Sequence, residues 1–503
     1  MARTGNNDFA YDNTGNALVE FFSKAGSLFK GKGTYYGNET TAIELFKSAW
    51  VDNNYKAMQL AMHLRDVRGG SGNRSGFREI INWLAKEHTA WMEVNMHFIP
   101  EVGRWDDLES LVGTPCESNA LSFWVRAIQE GHQLAAKWAP RADKNKEIFN
   151  KMRILAGMDP KSWRKTLVAN TNVVETAMCS KNWQNIDYSK IPSVAMARYN
   201  NAFNTHDSVR YGKWRQALEN GVDEKGNEVK VNAEALFPHD VLRTLYSNQS
   251  GDSKLPDAQF AALPDYMADK SQRIMAICDF SDSMGTPVSG SIMAIDVSLG
   301  LGLYCSDRLG KDNPFYRKFI PFSDDSKLVS WKNIPFSKAV YEVNDGWCGS
   351  TNIKAALDQI LQAAQLLNAT NDQIPNTLLI LSDMQFNEGV NGDNETAVET
   401  CMKEWEKCGY TRPKIVYWNL AGYRNSPDTV ASKNIALVSG FSPSLLTAIL
   451  GGEDFSPIAI MERAIEKYKI VMPKDIKVEV DNNVPETTRV KKTRNKTALN
   501  RPF

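Results

Sequence analysis

Residues 274–285 read IMAICDFSDSMG, and this stretch decides the fold that we predict for the second half of the chain. Its first five residues form an uninterrupted apolar run, which is typical of a strand buried on both faces of a parallel sheet. The run ends at Asp279, and Ser281 and Ser283 follow at alternate positions. Three oxygen-bearing side chains can therefore converge just beyond the carboxyl end of a strand, where open α/β sheets bind ligands.

Two later segments of the chain could bring further oxygen-bearing side chains to the same place. A second buried-strand run, 378–383, reads LLILSD and ends on the carboxylate of Asp383, and Thr351 stands in a Gly-Ser-Thr-Asn loop that opens a predicted helix. Two carboxylates, three hydroxyls and water would supply about six oxygens, the shell that Mg²⁺ or Mn²⁺ prefers. This set resembles the metal-ion-dependent adhesion site of von Willebrand factor A domains. The ligands that the resemblance implies for Mg²⁺ (or Mn²⁺) are Asp279, Ser281, Ser283, Thr351 and Asp383. An Asp-x-Ser-x-Ser turn by itself also fits a serine-rich helix cap.

Other kinds of site find little support in the sequence. No glycine-rich loop with a following Lys-Ser or Lys-Thr stands after these strands, which argues against a nucleotide site. The six histidines show no metal-ligand spacing, and no general base or oxyanion group accompanies the two carboxylates. We therefore predict that the protein is not an enzyme. A metal-dependent hydrolase is a third hypothesis, ranked after the two functions given at the end of this section.

Composition limits the class of protein. The chain has 503 residues, 42% hydrophobic and 23% charged, with a formal net charge of zero. Seven cysteines without a Cys-x-x-Cys pair fit reduced thiols better than a disulfide framework. No apolar run approaches the roughly 18 residues of a membrane span, and the first residues do not form a signal-peptide core. These features predict a cytoplasmic protein without a membrane segment.

The chain divides into five predicted regions. Residues 1–40 are rich in Gly, Asn and Thr and are predicted to be a loosely held, flexible arm. Residues 41–218 show the three- and four-residue spacing of amphipathic helices, as in Ala42, Leu45, Phe46 and Ala49. Residues 219–270 form a polar connector with one helix near 240–246. In residues 271–472 strands and helices alternate, which predicts a doubly wound, mostly parallel sheet. Residues 473–503 are a charged, basic tail.

Three motifs of the helical half resemble those of the Ro (TROVE) RNA-binding proteins. They read LRDVRGGSGNR at 64–74, IPEVGRWDDL at 99–108 and RYNNAFNTHD at 198–207. The sequence is still more similar to an uncharacterised family that joins such a module to a C-terminal von Willebrand A domain, on LSDMQF at 381–386 and VSGFS at 438–442. The resemblance covers most of residues 41–465. It implies a HEAT-like helical-repeat module that can close into a ring, with single-stranded RNA ends inside and small structured RNA outside.

Local charge agrees with an RNA partner. Residues 140–220 contain 14 Lys or Arg against 7 Asp or Glu, an excess of 14 − 7 = 7 in a neutral chain. Interleaved aromatic residues could stack on unpaired bases, although they also fit a helical core, and basic faces are often only solvated. Those aromatic residues are Trp163, Trp183, Tyr199, Tyr211 and Trp214. The predicted RNA-binding residues are Arg65, Arg68, Arg74, Arg164, Lys165, Arg198, His206, Arg210, Lys213 and Arg215.

The function that we predict from the sequence is Ro-like binding of single-stranded RNA ends or small structured RNA, with a divalent-metal site in the α/β half. The alternative is a metal-dependent protein-binding or assembly module, of adhesion type or part of a virion or structural complex, without an RNA function. In that alternative a partner's carboxylate completes the metal shell, and the helical half is only a scaffold.

Overall fold

The computed structural model shows a helical N-terminal part and a C-terminal part built on a six-stranded sheet. The residues that it describes are 2–3, 9–28, 41–171, 173–218, 220–224, 226–234, 236–247, 253–267, 273–289, 292–313, 315–322, 326–344, 352–366, 368–386, 396–420, 426–431, 434–451 and 454–473. The predicted basic tail therefore lies outside the described residues except for Pro473.

The N-terminal part begins with two short paired strands, β1 (Ala2–Arg3) and β2 (Phe9–Ala10). Its α-helices are α1 Ala17–Lys24, α2 Ala42–Asp52, α3 Asn54–Arg65, α4 Arg74–Glu87, α5 Thr89–Asn95, α6 Phe98–Val102, α7 Glu117–Gln129, α8 Gln133–Trp138, α9 Lys146–Leu155, α10 Pro160–Ala169, α11 Val174–Cys179, α12 Ser193–His206, α13 Ser208–Ala217, α14 Pro238–Tyr246 and α15 Lys254–Ala261. Short 3₁₀ helices cover Ala25–Ser27, Trp105–Leu111, Trp183–Asn185 and Tyr188–Lys190.

The C-terminal part alternates strands with helices. The strands are β3 Ile274–Asp279, β4 Pro287–Ser289, β5 Ile292–Met293, β6 Lys318–Phe322, β7 Val329–Ser330, β8 Thr377–Ser382, β9 Lys414–Asn419 and β10 Ile435–Ser439. The helices are α16 Ala294–Arg308, α17 Phe336–Asn344, α18 Ile353–Leu366, α19 Ala397–Lys407, α20 Leu445–Leu450 and α21 Pro457–Ile465. A 3₁₀ helix covers Asp282–Gly285.

The sheet has the strand order β10-β9-β8-β3-β6-β7. Neighbouring strands run parallel except for the edge pair β6 and β7, which is antiparallel, so the predicted mostly parallel sheet is confirmed. Strands β3 and β8 are buried along their whole length, which explains their continuous apolar sequences. From β3 the chain goes first to β6 on one side and later to β8 on the other. The strand order therefore reverses beside the carboxyl end of β3, where α/β sheets form ligand-binding crevices.

Local sequence signals explain where several helices of the N-terminal part begin. Asn53 caps α3 and Asn73 caps α4, each by accepting a backbone amide with its side chain. Asp159 caps α10, whose first residue is Pro160, the position in a helix where proline costs nothing. In α10 the buried residues Trp163 and Leu167 lie one turn apart and anchor the helix in the core.

The N-terminal region corrects one prediction, because α1 is not part of a loosely held arm. Val19 and Phe21 are almost completely buried, and the helix packs on β10. The Ser439 hydroxyl donates to the carbonyl of Phe22 (2.9 Å) and accepts the amide of Gly26 (3.1 Å). A Cβ atom at Gly26 would lie 2.7 Å from the Ser439 carbonyl oxygen, so only glycine fits this approach. Residues 17–27 are thus a fixed contact between the two parts of the chain.

The N-terminal part is joined to the C-terminal part at both of its ends. At the first end α3 contacts α21, and Gln59 Nε2 donates to the carbonyl of Tyr468 (2.9 Å). At the second end α14 packs on α16 and α15 on α17, where the Ser337 hydroxyl donates to Asp257 (2.9 Å). The predicted connector therefore contains a second helix, α15, which the sequence did not indicate because Pro256 interrupts its pattern.

Candidate metal centre and basic surface

The first candidate site lies at the carboxyl ends of β3 and β8. Cys278 pairs with Leu381 across the two strands, so the residues that follow them, Asp279 and Ser382, lie side by side. The Ser382 hydroxyl donates to Asp279 Oδ2 (2.5 Å), and the amide of Ser281 donates to Asp279 Oδ1 (2.9 Å). Asp279 is completely buried, and these two hydrogen bonds fix its orientation.

Asp383 brings a second buried carboxyl group to the same place. Its Oδ1 accepts the amide of Gln385 (3.1 Å), whereas its Oδ2 is buried and accepts no hydrogen bond from the described part of the chain. The next residue, Met384, has φ = +68°, a conformation that costs a non-glycine residue energy and that is common at functional sites. A buried carboxylate oxygen without a donor is costly, so this oxygen is a candidate ligand atom for a cation.

The pKa values of both carboxyl groups are raised. Burial and the neighbouring charge of Asp383 together raise the pKa of Asp279 to about 7, against hydrogen bonds from Ser281 and Ser382. Burial also raises the pKa of Asp383, and the nearby Ser283 hydroxyl and the amide of Gln385 partly offset this rise. Two adjacent carboxylates can both ionise only if a cation compensates them. The electrostatics therefore favour either a shared proton or a bound cation.

The residues predicted to bind a metal are brought together in part. The hydroxyls of Ser281 and Ser283 lie 3.1 Å apart beside Asp279, and Asp383 faces them. Thr351 lies outside the described residues. No group of three or more His, Cys, Asp or Glu side chains in the described ranges could hold a metal ion. Oxygen donors of this kind, two carboxylates with hydroxyls, fit Mg²⁺ or Mn²⁺ better than zinc.

The glycine-rich basic loop at 65–74 has a structural role that the sequence did not indicate. The Arg65 side chain is 2% exposed, and its Nε donates to Asp107 Oδ2 (2.8 Å). Asp107 Oδ1 also accepts Arg74 Nε (2.7 Å) and Arg78 Nε (2.9 Å). The prediction that Arg65 contacts RNA is wrong, because a buried guanidinium cannot reach a phosphate. Arg74 is partly exposed but is held by the same carboxylate.

The rest of this loop joins the two parts of the chain. Asp66 Oδ1 accepts the amides of Arg68 (2.9 Å) and Gly69 (3.1 Å). Its Oδ2 accepts Tyr468 Oη (2.7 Å) and Lys467 Nζ (2.9 Å), both just beyond α21. Of the three arginines predicted here to bind RNA, only Arg68 is exposed, whereas Arg65 is buried and Arg74 is half-buried. The loop is therefore primarily a structural junction.

Helix α10 carries two of the cations predicted to bind RNA, Arg164 and Lys165, together with a third basic residue, Lys161. Lys161, Arg164 and Lys165 follow the i, i+3, i+4 spacing and are exposed, on the face opposite to Trp163 and Leu167. In the described ranges no carboxylate forms an ion pair with any of the three. We call these three residues the α10 basic face. Since their charges are not neutralised within the described structure, they are available to an external anion.

The predicted RNA-binding residues on α12 and α13 differ in their availability. Arg198 and Lys213 are exposed, and Lys213 is 3.4 Å from Glu224. Arg210 is occupied, because its Nε donates to Asp207 Oδ2 (2.8 Å) and its guanidinium also binds the carbonyls of Trp183 and Ile186. Arg215 is 9% exposed and donates to Asn204 (3.0 Å), so the prediction that it contacts RNA is wrong.

The predicted stacking residues also separate into two groups. Trp163 and Tyr211 are completely buried, and the suggestion that they stack on bases is wrong. Trp183, Tyr199 and Trp214 are partly buried. The exposed imidazole of His206 stacks on Trp183, with ring centroids 4.9 Å apart and planes at 24°. This pair offers a partly exposed aromatic surface within the segment 140–220, which is rich in basic residues.

The residues that were not predicted from the sequence are polar side chains that bind and orient the predicted ones. Ser382 orients Asp279, Asp107 neutralises Arg65, and Asp66 joins the loop to Tyr468. Among these residues only Ser382 could be recognised in the sequence, because it is a polar residue that follows four apolar residues of a buried strand. The described helices include none long and apolar enough to cross a membrane.

Comparisons with known proteins divide the chain at the same place as the structure. A model for a domain of unknown function, DUF2828, matches residues 4–114 and 158–273, and a model for another domain of unknown function, DUF7788, matches residues 273–497. The two matches meet immediately before β3. An uncharacterised protein of Acanthamoeba polyphaga mimivirus, L728, is 27% identical over 532 residues, covering 93% of this chain and 88% of the relative.

Among solved structures, the crystal structure of the Deinococcus radiodurans RO (RSR) protein matches with 13% identity and a TM-score of 0.34. The match covers 91% of this chain and 100% of that one. A TM-score of this size is too low to establish a shared fold.

Proposed function

We propose that this protein binds single-stranded RNA ends or small structured RNA through the α10 basic face, and that it is a binding protein and not an enzyme. The observation that supports this most directly is the pattern of α10, whose exposed side carries Lys161, Arg164 and Lys165 without a carboxylate partner in the described structure. Unneutralised cations on one helix face suit a phosphate backbone, because binding releases counterions. The stacked pair of His206 and Trp183 adds a surface for unpaired bases.

The architecture suggests how RNA could be enclosed. The N-terminal part contacts the α/β part at both ends, through α1 and α3 and again through α14 and α15. We propose that the helical module and the α/β part together close a ring, in the HEAT-like arrangement that the sequence resemblance implies. A von Willebrand A-type domain would be the closing element.

Direct measurement of RNA binding tests the proposal. We expect the full-length protein to bind a fluorescent single-stranded RNA, with a logarithm of affinity that falls linearly with the logarithm of salt concentration. For single strands the slope should be about −0.7 for each phosphate contacted. Anisotropy titrations at several salt concentrations measure this. Absence of binding even at low salt would contradict the proposal, and a salt-independent affinity would contradict the role of the cations.

We also propose that Mg²⁺ or Mn²⁺ binds between β3 and β8. Asp383, through its unoccupied Oδ2, and the hydroxyls of Ser281 and Ser283 would hold the ion, with Asp279 beside them. Thr351 would complete the set. The ion would supply a positive charge that relieves the repulsion of the two buried carboxylates. The same orphan oxygen supports a second candidate function, metal-dependent binding of a protein partner whose carboxylate completes the metal shell.

The variant Asp383→Asn tests the metal site. We expect it to lose Mg²⁺ and Mn²⁺ binding in calorimetric titrations, while the metal-free protein keeps or gains thermal stability because one of two repelling carboxylates is removed. Asp282→Asn is the matched control, since Asp282 is exposed in the same loop and should leave cation affinity unchanged. Unchanged cation affinity of Asp383→Asn, or a lower melting temperature without any cation effect, would show that Asp383 is only structural.

A further inference from the structure

A second feature of the helical part is a wide cleft whose chemistry differs from that of the α10 basic face. It has a volume of about 1280 Å³ and lies between the segment 184–190, the last turns of α13 and the residues 220, 222–224 and 227–230. Pockets for single small molecules usually measure about 300–1000 Å³. The cleft is therefore large enough for consecutive units of a polymer.

The walls of the cleft carry no net charge. Four cations (Lys190, Arg210, Lys213, Lys230) face four carboxylates (Asp187, Asp223, Glu224, Glu228), so the formal charge is 4 − 4 = 0. Each lysine has a carboxylate of the same cleft nearby, at 3.1 Å for Lys190 and Asp187, 3.4 Å for Lys213 and Glu224, and 3.0 Å for Lys230 and Glu228. Arg210 is occupied by Asp207 and two carbonyls. A site of this kind has little attraction for phosphate.

The polar groups that remain are carboxamides. Gln184 and Asn185 belong to the segment 184–190, whereas Gln216 lies on α13 and Asn220 just beyond it. Within the described residues, no hydrogen bond occupies any of these four side-chain amides. Each carboxamide presents a donor and an acceptor side by side, which is the arrangement that pairs with the edges of nucleobases. Such groups recognise neutral, flat, hydrogen-bonding rings.

The cleft also contains a fixed aromatic ring. Trp214 lines it, stacks on Tyr211 with centroids 5.6 Å apart and planes at 14°, and donates its indole N–H to Ser189 (3.1 Å). Because Tyr211 is completely buried, the plane of the indole is set by the core. A ring held in this way can stack on a base without first losing conformational freedom.

From these contacts we infer that the cleft binds unpaired RNA bases through their edges and faces, while phosphate binding is left to the exposed cations outside it. This inference rests on the proposed RNA-binding function and extends it by separating base recognition from phosphate recognition. It assigns the amides of Gln184 and Gln216 to base edges, and Trp214 to stacking.

The test compares two single-stranded RNA probes of equal length and equal phosphate number, one with bases and one fully abasic. The full-length protein should bind the base-containing probe at least about tenfold more tightly, and the double variant Gln184→Ala with Gln216→Ala should reduce this ratio to about twofold or less. Affinity for the abasic probe and the salt slope should not change. The control is Gln129→Ala with Gln133→Ala, two exposed glutamines outside the cleft.

Uncharged nucleosides separate failure of this inference from failure of RNA binding. Adenosine, guanosine, cytidine and uridine are titrated while tryptophan fluorescence is followed, with the variant Trp214→Leu as a reference. Nucleoside binding that the cleft variants weaken would support the inference even if no RNA oligomer bound. Salt-dependent RNA binding with equal affinity for both probes would overturn the inference and leave the proposed function standing. The inference would also be overturned if the double variant Gln184→Ala with Gln216→Ala still bound the base-containing probe at least about tenfold more tightly than the abasic probe.

Discussion

Replacing Asp107 with alanine is expected to lower the free energy of unfolding by about 3–5 kcal/mol, because it leaves the buried Arg65 guanidinium without a counter-charge. Asp107 is completely buried and accepts hydrogen bonds from three arginine side chains. Water cannot take over these hydrogen bonds without a large cost in free energy. Urea unfolding followed by tryptophan fluorescence measures the effect. The control is Glu462→Ala, which removes an ion pair with Lys56 whose side chains are 36% and 47% exposed, and which should cost less than about 1 kcal/mol.

The Asp107 carboxylate also makes the folding stability of the wild-type protein depend on pH. Although burial alone would raise it, the pKa of Asp107 is lowered by the charges of Arg65 and Arg74 and by hydrogen bonds from Arg74 and Arg78. A lowered pKa stabilises the folded state above the unfolded value of about 3.9, and this contribution is lost as the pH falls further. Asp107→Ala should therefore be destabilised most at neutral pH and least in acid. A variant as stable as the wild type at pH 7 would show that Arg65 finds another acceptor.

Reversing the charge of the α10 basic face should weaken RNA binding by roughly 100-fold and flatten the salt dependence by about two units of log–log slope, since three phosphate contacts are lost. The variant is Lys161→Glu, Arg164→Glu and Lys165→Glu. These side chains are exposed and form no ion pair with the described residues, so the fold should tolerate the change. Anisotropy titrations of single-stranded RNA at several salt concentrations measure both quantities.

A matched variant in the C-terminal part separates local contacts from overall charge. Lys332→Glu, Lys338→Glu and Lys407→Glu changes the net charge by the same six units at exposed positions. We expect it to keep most of the affinity and the wild-type salt slope, because screening limits charge effects beyond about 10 Å. Equal losses of RNA affinity in the two triple variants would mean that net charge alone attracts RNA. No loss in the α10 variant would place the RNA elsewhere on the protein.

Much of the fold can be predicted from local sequence patterns. The apolar runs at 274–278 and 378–381 form the strands β3 and β8. The helical spacing before residue 218 corresponds to a helical N-terminal part. These predictions succeed because the period of buried residues is a property of the segment itself. The helix α15 was missed because its proline obscures that period.

The candidate metal centre was also predictable in outline. Asp279 and Asp383 each follow a buried strand, and parallel neighbours bring their carboxyl ends to one edge of the sheet. The sequence could not show that Ser382 would bind Asp279, nor that one oxygen of Asp383 would be left without a donor. Those features depend on the register between strands separated by about a hundred residues.

The sequence by itself determined the helical and α/β halves, the central strand and the two carboxylates that end neighbouring strands. Only the tertiary structure decided which cations are available and which are structural. Arg65 and Arg164 look alike in the sequence, yet one is buried against Asp107 and the other is exposed on α10. Likewise α1 looks like part of a polar arm, but it packs on β10. The physical reason is the same in both cases: burial and charge compensation come from partners far away in the chain, which local periodicity does not record.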